Sequence, residues 1–205
     1  MNLPKKDKNG LSYISYSQIS TFKRSKDDYY NNYILDKKFE GNEYTDFGSK
    51  VGEALEYNNF TGFSDLEIDT LKKVKRLDLF ERKTMLKYDG FYVLGFIDTL
   101  KKDYSEIIDY KTGGKNKEHQ YKEDNYTQLH LYALSLRQET GITPKEASVE
   151  FIRRGGNAFR GEKLTVANEN PIKIDVDISY NRLKSVYWET LEVAKEIETF
   201  YKLSK

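Results

Sequence analysis

Two acids and a lysine end consecutive apolar segments near the middle of the chain. Residues 95–98 read Gly-Phe-Ile-Asp, and residues 106–111 read Glu-Ile-Ile-Asp-Tyr-Lys. Because side chains alternate between the faces of a strand, Asp109 and Lys111 share one face. If the two segments pair as strands, Asp98 lies beside Asp109, and two neighbouring carboxylates form a seat for Mg²⁺ or Mn²⁺. Such a site with an amine beside it suits phosphodiester cleavage.

The acid-x-Lys tripeptide is a weak signal by itself. It occurs three times, at residues 36–38, 81–83 and 109–111. Only the third copy follows an apolar strand, has an earlier strand ending in an acid, and leads through glycines toward a helix. The alternative is a solvated strand end with a surface ion pair. We favour the metal site because the surrounding pattern supplies the specificity that the tripeptide lacks.

A glutamine and a tyrosine follow the lysine strand at helical spacing. Gln128 and Tyr132 are four residues apart and therefore share a helix face, from which both can reach the same cleft. Each could instead be a satisfied core residue, the glutamine bonded to backbone and the tyrosine packed as an aromatic. His130 points to the opposite side, which favours a packed or solvated histidine over a metal ligand.

Composition limits the classes of function. The 205 residues suffice for one domain, and a net charge of +1 requires any polyanion-binding surface to be locally basic. The chain has no cysteine, which excludes disulfides, zinc-thiolate sites and iron-sulfur clusters. No apolar run approaches the length of about 18 residues that predicts a membrane span, and the first residues lack the apolar run of a signal peptide.

The remaining sequence indicates the elements that must position these groups. Their order predicts an α/β domain with an antiparallel hairpin and a parallel pair across a buried helix. The predicted elements are a polar lead-in at 1–12, a helix start capped by Ser17, helices at 47–57 and 65–77, strands at 84–88 and 91–99 joined by Asp89-Gly90, a strand at 106–111, a buried helix at about 123–139 ended by Gly141, strands at 147–153 and 172–178, and a long helix at 180–203.

Taken together, these segments resemble the PD-(D/E)xK nuclease superfamily, in particular its RecB-type exonuclease group, which includes CRISPR adaptation nucleases and phage recombination exonucleases. Residues 95–98 resemble the first metal-binding motif and residues 108–113 the second. Gln128-x-x-x-Tyr132 resembles the motif that marks the RecB-type group. Residues 15–22, Ser-Tyr-Ser-Gln-Ile-Ser-Thr-Phe, with Tyr29 and Tyr30, resemble its N-terminal signature. The ordered combination is more specific than any one motif.

The resemblance implies a restriction-endonuclease-like mixed sheet, with a helix, three strands, helix and strand as its core, flanked by helices. We expect one nuclease domain over residues 1–205. Its core would lie at about 44–155, with an N-terminal helical part at 12–40 and a C-terminal strand and long helix at 171–203.

The resemblance also implies roles for the residues that match its motifs. Asp98, Asp109 and the backbone carbonyl of Tyr110 would hold Mg²⁺ or Mn²⁺, and Lys111 would position or help to deprotonate the attacking water. The expected products carry a 5′-phosphate and a 3′-hydroxyl. Gln128 would orient Lys111 or a phosphate. Tyr132 would touch the DNA backbone or stack on a base.

The chain departs from the family pattern in two places. Where iron-sulfur members carry cysteine, residues 25–29 read Ser-Lys-Asp-Asp-Tyr, so no iron-sulfur cluster is expected. Where the family usually reads Gly-x-x-x-His, Gly48 is followed by Gly52, and the imidazole ligand is missing. Glu56, one turn beyond Gly52, could replace it directly or through water, whereas Glu53 is rotated away. Both acids could equally be ordinary solvated helix residues.

Basic residues near two glycine-containing loops are the candidates for phosphate contacts. We expect a mobile basic loop after the 147–153 strand and a second basic loop beyond Gly113, although each residue could simply be solvated. These candidates are Arg153, Arg154, Arg160, Lys115 and Lys117.

The function that this pattern predicts is a metal-dependent DNA exonuclease for DNA processing, recombination or repair. The alternatives are a structure-selective endonuclease on the same fold and a catalytically silent DNA-binding module. The expected partners are DNA and, by analogy, a single-strand annealing or recombination protein, with a homo-oligomer left open and no membrane. The expected location is the cytoplasm of a bacterial, archaeal or phage-infected host cell.

Overall fold

The computed structural model of the chain describes residues 1–37, 41–122 and 126–205. The strands in these ranges are β1 Ser12–Ser15, β2 Leu79–Tyr88, β3 Phe91–Leu100, β4 Glu106–Gly113, β5 Glu146–Gly155, β6 Thr165–Val166 and β7 Ile172–Asp175. The helices are α1 Tyr16–Arg24, α2 Lys26–Tyr29, α3 Glu43–Tyr57, α4 Asp65–Leu71, α5 His119–Lys122, α6 Gln128–Thr140 and α7 Tyr180–Leu203.

The strands form one mixed sheet in the order β1-β3-β4-β5-β6, with β2 on β3 and β7 on β5. The β2–β3 hairpin turns at Asp89-Gly90, where Gly90 takes the positive φ of 77° that such a turn requires. Strand β4 pairs parallel to β5 along the whole length of β4, and the segment joining the two strands includes α6. The predicted α/β mixed sheet with an antiparallel hairpin and a parallel pair is therefore confirmed.

The start of the chain differs from the prediction. The segment predicted as a polar lead-in ends in β1, which pairs parallel to β3, and Leu3 is fully buried. The cap of α1 is Ser15, whose hydroxyl accepts from the backbone N–H of Gln18, whereas Ser17 lies inside the helix. The prediction was wrong because two nearby serines both satisfy the N-cap preference, and a four-residue strand carries too little periodicity to detect.

The helix ends agree with the prediction at some positions and differ at others. Gly141 ends α6 in the left-handed conformation, as expected, and α7 has the predicted bounds. Helix α4 stops at Leu71, six residues before its predicted end. The first helical residue described in α6 is Gln128, and the predicted start at residue 123 lies outside the described residues.

Three apolar clusters hold the layers together and leave a cleft between α3 and the sheet. One cluster packs α1 and α7 against the hairpin, and a second packs α6 against β3, β4 and β5. A third joins α3 to Ile152 of β5 and Val166 of β6. None of the helices in the described part of the chain is long and apolar enough to cross a membrane.

Candidate active site

Strands β3 and β4 separate at the position of the two predicted carboxylates. They pair only at Thr99 with Ile108 and at Leu100 with Ile107. At Asp98, the adjacent residue of β3, a side-chain hydrogen bond replaces the backbone pairing between the two strands. The Asp98 Oδ2 accepts this bond, 2.6 Å long, from the Tyr110 backbone N–H. Asp98 and Asp109 thus lie on neighbouring strands where the backbone pairing ends.

Asp109 is fully buried, and within the described part of the chain only one of its two carboxylate oxygens is hydrogen-bonded. Its Oδ2 lies 2.6 Å from the Nζ of Lys111 and accepts a 2.7 Å hydrogen bond from the Tyr126 hydroxyl. Its Oδ1 is buried without a hydrogen-bond partner among the described residues. A buried carboxylate oxygen that lacks a donor is costly, which marks this atom as one that a further ligand would satisfy.

Lys111 is held in its charged form. Burial alone would lower the pKa of its ammonium, but the negative charges of Asp109 and Asp98 outweigh burial and raise the pKa above its usual range. The side chain also lines the cleft next to α3. As an ammonium it can orient an anion or a water molecule and donate a proton, and it is not set up to accept one.

Asp98 experiences the opposite balance. Burial and the charge of Asp109 raise its pKa to about 7, and the opposing effects of Lys111 and the Tyr110 N–H do not compensate. The carboxylate is therefore destabilised as an anion in the fold. A cation bound beside it would relieve this repulsion.

Behind Asp109, Tyr126 and the first turn of α6 supply a chain of hydroxyl and amide groups. The Tyr126 hydroxyl lies 2.9 Å from Gln128 Oε1, and Gln128 Nε2 donates to the Tyr132 hydroxyl at 2.6 Å. Gln128 therefore reaches Asp109 through Tyr126, and no direct bond joins it to Lys111 among the described contacts. Tyr132 is 5 % exposed and packs over Gly95, where a Cβ would lie 2.5 Å from its ring. A buried Tyr132 cannot stack on a base, which corrects that part of our prediction.

His130 lies outside this network, as expected. It is buried, and its Nε2 lies 2.8 Å from the backbone carbonyl of Asp177.

The cleft in front of these groups is about 710 Å³ in volume, and α3 forms one wall. Gly48 faces β4, and a Cβ there would make an ordinary van der Waals contact of 3.5 Å with Thr112 Oγ1. Gly52 has open space where its side chain would be, at the position of the family's missing imidazole. Both Glu56 and Glu53 line the cleft, so Glu53 is not rotated away as predicted.

A fourth acid, Glu81 of β2, lines the same cleft as Asp98, Glu53 and Glu56, and it was missed from the sequence. Its neighbours Phe80 and Arg82 pair with Thr99 and Ile97, which places Glu81 opposite Asp98. Burial and the charge of Glu56 raise the pKa of Glu81. The sequence could have predicted Glu81 if the first strand of the hairpin had been extended back from Thr84. Residues at equal distances from the Asp89-Gly90 turn face each other, which places Glu81 opposite Asp98.

The donors here fit a hard divalent cation. The unpartnered Oδ1 of Asp109 and the carboxylate of Asp98, whose pKa is raised, supply oxygen ligands of the kind that Mg²⁺ and Mn²⁺ prefer. The backbone carbonyl of Tyr110 is a third candidate donor. No set of three or more acid, histidine or cysteine side chains forms a metal cage within residues 1–37, 41–122 and 126–205. Water and substrate would therefore complete the coordination, as is usual for Mg²⁺.

The basic candidates are placed differently from one another. Arg153 lies within β5, in agreement with the predicted 147–153 strand, and its guanidinium pairs with Glu118 at 2.8 Å and Glu169 at 2.5 Å. Arg154 also lies in β5, with its guanidinium 3.9 Å from the Tyr44 ring centre. The strand continues two residues past its predicted end, so Arg154 lies in the strand and not in the loop that follows it. The DNA contacts of both arginines stay a prediction.

Three candidates remain on exposed turns. Arg160 ends a short 3₁₀ turn after β5, and Lys115 and Lys117 lie in the turn after β4.

Comparison with known proteins decides the family. Residues 63–192 match the sequence model of the PD-(D/E)XK nuclease superfamily, which is more than half of the chain. The chain belongs to this superfamily. This membership supports nuclease activity in general, and members of the superfamily generally use divalent metals such as Mg²⁺.

Solved structures agree with this nuclease fold. The crystal structure of a "Putative exonuclease" from Eubacterium rectale is 12 % identical, with a TM-score of 0.61, over 93 % of this chain and 82 % of that one. At this identity the likeness shows the fold alone. No curated protein matches the sequence.

Proposed function

We propose that this nuclease is a divalent-metal-dependent DNA exonuclease of the RecB-type group. The observation that carries the proposal is the chain of contacts from Tyr132 and Gln128 through Tyr126 to Asp109 and Lys111. It joins the motif that resembles the RecB-type group to the acid and lysine of the second metal-binding motif. A silent DNA-binding module would have no need for this network.

The proposed roles follow from the positions of the side chains. Asp98, Asp109 and the Tyr110 carbonyl would hold Mg²⁺ or Mn²⁺, with Glu56 as a weaker candidate through water. When bound, the metal would supply a Lewis acid for the scissile phosphate. Lys111, charged and at the cleft, would hold the attacking water or a phosphate oxygen in place and stabilise developing negative charge.

Gln128 would act as a positioning residue, because it contacts Tyr126 and Tyr132 rather than the cleft. We expect Gln128→Ala to lower kcat about tenfold, as loss of an outer-layer partner of a metal ligand typically does. The affinity for DNA should stay the same, which initial-rate measurements and binding assays together would detect. Gln138→Ala is the matched control, since Gln138 lies on the same helix and bonds only the Lys87 backbone among the described contacts. An equal loss in both variants would contradict the role.

Digestion of linear and circular DNA tests the proposed activity. We expect end-labelled linear DNA to be degraded with Mg²⁺ or Mn²⁺, closed circular DNA to stay intact, and chelator to stop the reaction. Opening of the circle would identify an endonuclease. No cleavage of either substrate under any metal condition would indicate the silent module.

Two further parts of the proposal concern organisation. We propose that residues 1–205 act as one nuclease domain, supported by β1 pairing with β3 and by α7 packing on α1 and the hairpin. A single-strand annealing or recombination protein as partner stays a prediction by analogy.

A further inference from the structure

The most exposed large apolar side chain in the described part of the structure is Phe159, which is 89 % exposed. It lies in the 3₁₀ turn Ala158–Arg160 between β5 and β6. An apolar ring in water is unfavourable, and a lone exposed ring is ordinary on a loosely held loop. The loop around Phe159, however, is fixed in place by several specific contacts.

Asn157 and Tyr44 hold this loop against α3. The Asn157 Oδ1 accepts from the Phe159 N–H at 3.0 Å and from the Tyr44 hydroxyl at 3.1 Å. The same hydroxyl accepts from the Ala158 N–H at 3.0 Å. Gly156 has a φ of 78°, and a Cβ there would lie 2.1 Å from the Lys163 carbonyl, so the return of the loop is closely packed. The exposed ring is thus presented by a preorganised turn.

Aromatic and cationic groups connect Phe159 to α3. The rings of Phe159 and Tyr44 are 5.5 Å apart, and the Arg154 guanidinium lies over the Tyr44 ring. Thr45, the residue after Tyr44, lines the cleft. The ridge formed by Phe159, Tyr44 and Arg154 is therefore joined to α3, the helix that forms one wall of the cleft.

The charge around this ridge favours a polyanion. Arg160 and Lys163 flank Phe159 in the same loop, with Glu162 as the one acid between residues 154 and 164. The turn that carries Lys115 and Lys117 approaches from β4, where a Cβ on Gly114 would lie 3.9 Å from Arg154 Nη2. An exposed aromatic among cations is the arrangement that binds single strands, because bases stack on the ring while phosphates contact the cations.

We propose that Phe159 is a stacking platform for an unpaired nucleobase of the DNA strand that enters the cleft. The proposal rests on the proposed nuclease function and specifies its substrate: a strand whose bases are unpaired beside the active site. It also supplies the base contact that the buried Tyr132 cannot make.

The test compares binding of two DNA substrates by wild type and by Phe159→Ala. Fluorescence anisotropy would be measured in chelator, so that no cleavage occurs, with a single-stranded oligonucleotide and with a blunt duplex of the same length. Loss of one stacked base typically costs about tenfold in affinity. We therefore expect Phe159→Ala to bind the single strand about tenfold more weakly and the duplex less than twofold more weakly, whereas Phe159→Trp retains binding.

Two controls separate the possible failures. Trp188→Ala removes another exposed aromatic, on α7 and outside the cleft lining, and should bind both substrates like wild type. Digestion of linear DNA by the wild-type protein tests the proposed nuclease function independently of the Phe159 proposal. If wild type degrades DNA and Phe159→Ala binds the single strand as tightly as wild type, or loses equal affinity for both substrates, the platform is wrong and the nuclease function stands. If wild type neither binds nor degrades DNA, both proposals fail.

Discussion

Asp109→Asn is expected to lower the rate of DNA hydrolysis by about 10³-fold. The substitution removes one of two carboxylates proposed to hold the metal, and a bound metal supplies several kcal/mol of transition-state stabilisation. Each 1.4 kcal/mol corresponds to about tenfold in rate. Asparagine keeps the shape of the side chain, so the loss would report on the charge and not on packing.

The same substitution should destabilise the fold, because it leaves Lys111 beside a neutral side chain. Removing one partner of a buried ion pair costs up to about 3–5 kcal/mol; Lys111 is 25 % exposed and still close to Asp98, so we expect about 2 kcal/mol. Thermal unfolding would measure this cost, and electron paramagnetic resonance of Mn²⁺ would measure metal binding in the folded protein.

Asp175→Asn provides the control for removing a carboxylate from the same sheet. Asp175 lies on β7, its side chain is 79 % exposed, and its ion pair with Lys173 is of the surface kind that contributes little. It should change neither activity nor stability measurably. Folded Asp109→Asn protein with wild-type turnover and Mn²⁺ affinity would exclude the proposed site.

Local patterns in the sequence were sufficient where one or two residues determine the geometry. The Asp89-Gly90 dipeptide predicted the β2–β3 turn because Gly90 accepts a positive φ, and Gly141 predicted the end of α6 for the same reason. The parallel pairing of β4 and β5 followed from the buried helix between them. The two glycine features are local properties of the chain, and the parallel pairing needed only the order of consecutive elements.

Features that depend on distant segments were not predictable in the same way. Tyr126 is one of many tyrosines in the sequence, and only folding brings its hydroxyl to Asp109. Arg153 looked free for DNA because its partners Glu118 and Glu169 lie far along the chain. Tyr132 looked accessible because the sequence does not show that its ring packs over Gly95 of β3.

The contacts of the two central carboxylates differ, and the difference has a consequence for stability. Asp109 has a partner for its charge in Lys111, whereas Asp98 accepts only a neutral backbone N–H among the described contacts. The ammonium of Lys111 therefore offsets part of the cost of burying the Asp109 charge, whereas burial and the charge of Asp109 make the Asp98 anion unfavourable in the metal-free fold. This pattern is expected of a site that gives up stability for function.

Asp98→Asn is accordingly expected to abolish activity while raising the stability of the metal-free protein. The pKa of Asp98 is raised to about 7 by burial and by Asp109, above the value of about 3.9 for an unfolded chain. The folded state then binds a proton that the unfolded state has lost, so wild-type stability falls as pH rises from about 4 to about 7 and stays reduced above it. Asparagine has no charge to bury and escapes this loss.

Thermal unfolding in chelator at pH 8 and pH 4 measures the effect. At pH 8 we expect Asp98→Asn to melt a few degrees above wild type, since roughly 2–4 °C corresponds to 1 kcal/mol in a chain of this size. At pH 4 the difference should largely disappear, because Asp98 is then mostly protonated in the wild-type fold. Addition of Mg²⁺ at pH 8 should stabilise wild type and leave Asp98→Asn unchanged. If Asp98→Asn melts below wild type at pH 8 without metal, the Asp98 charge stabilises the fold. The electrostatic argument for a cation beside the Asp98 carboxylate would then be wrong.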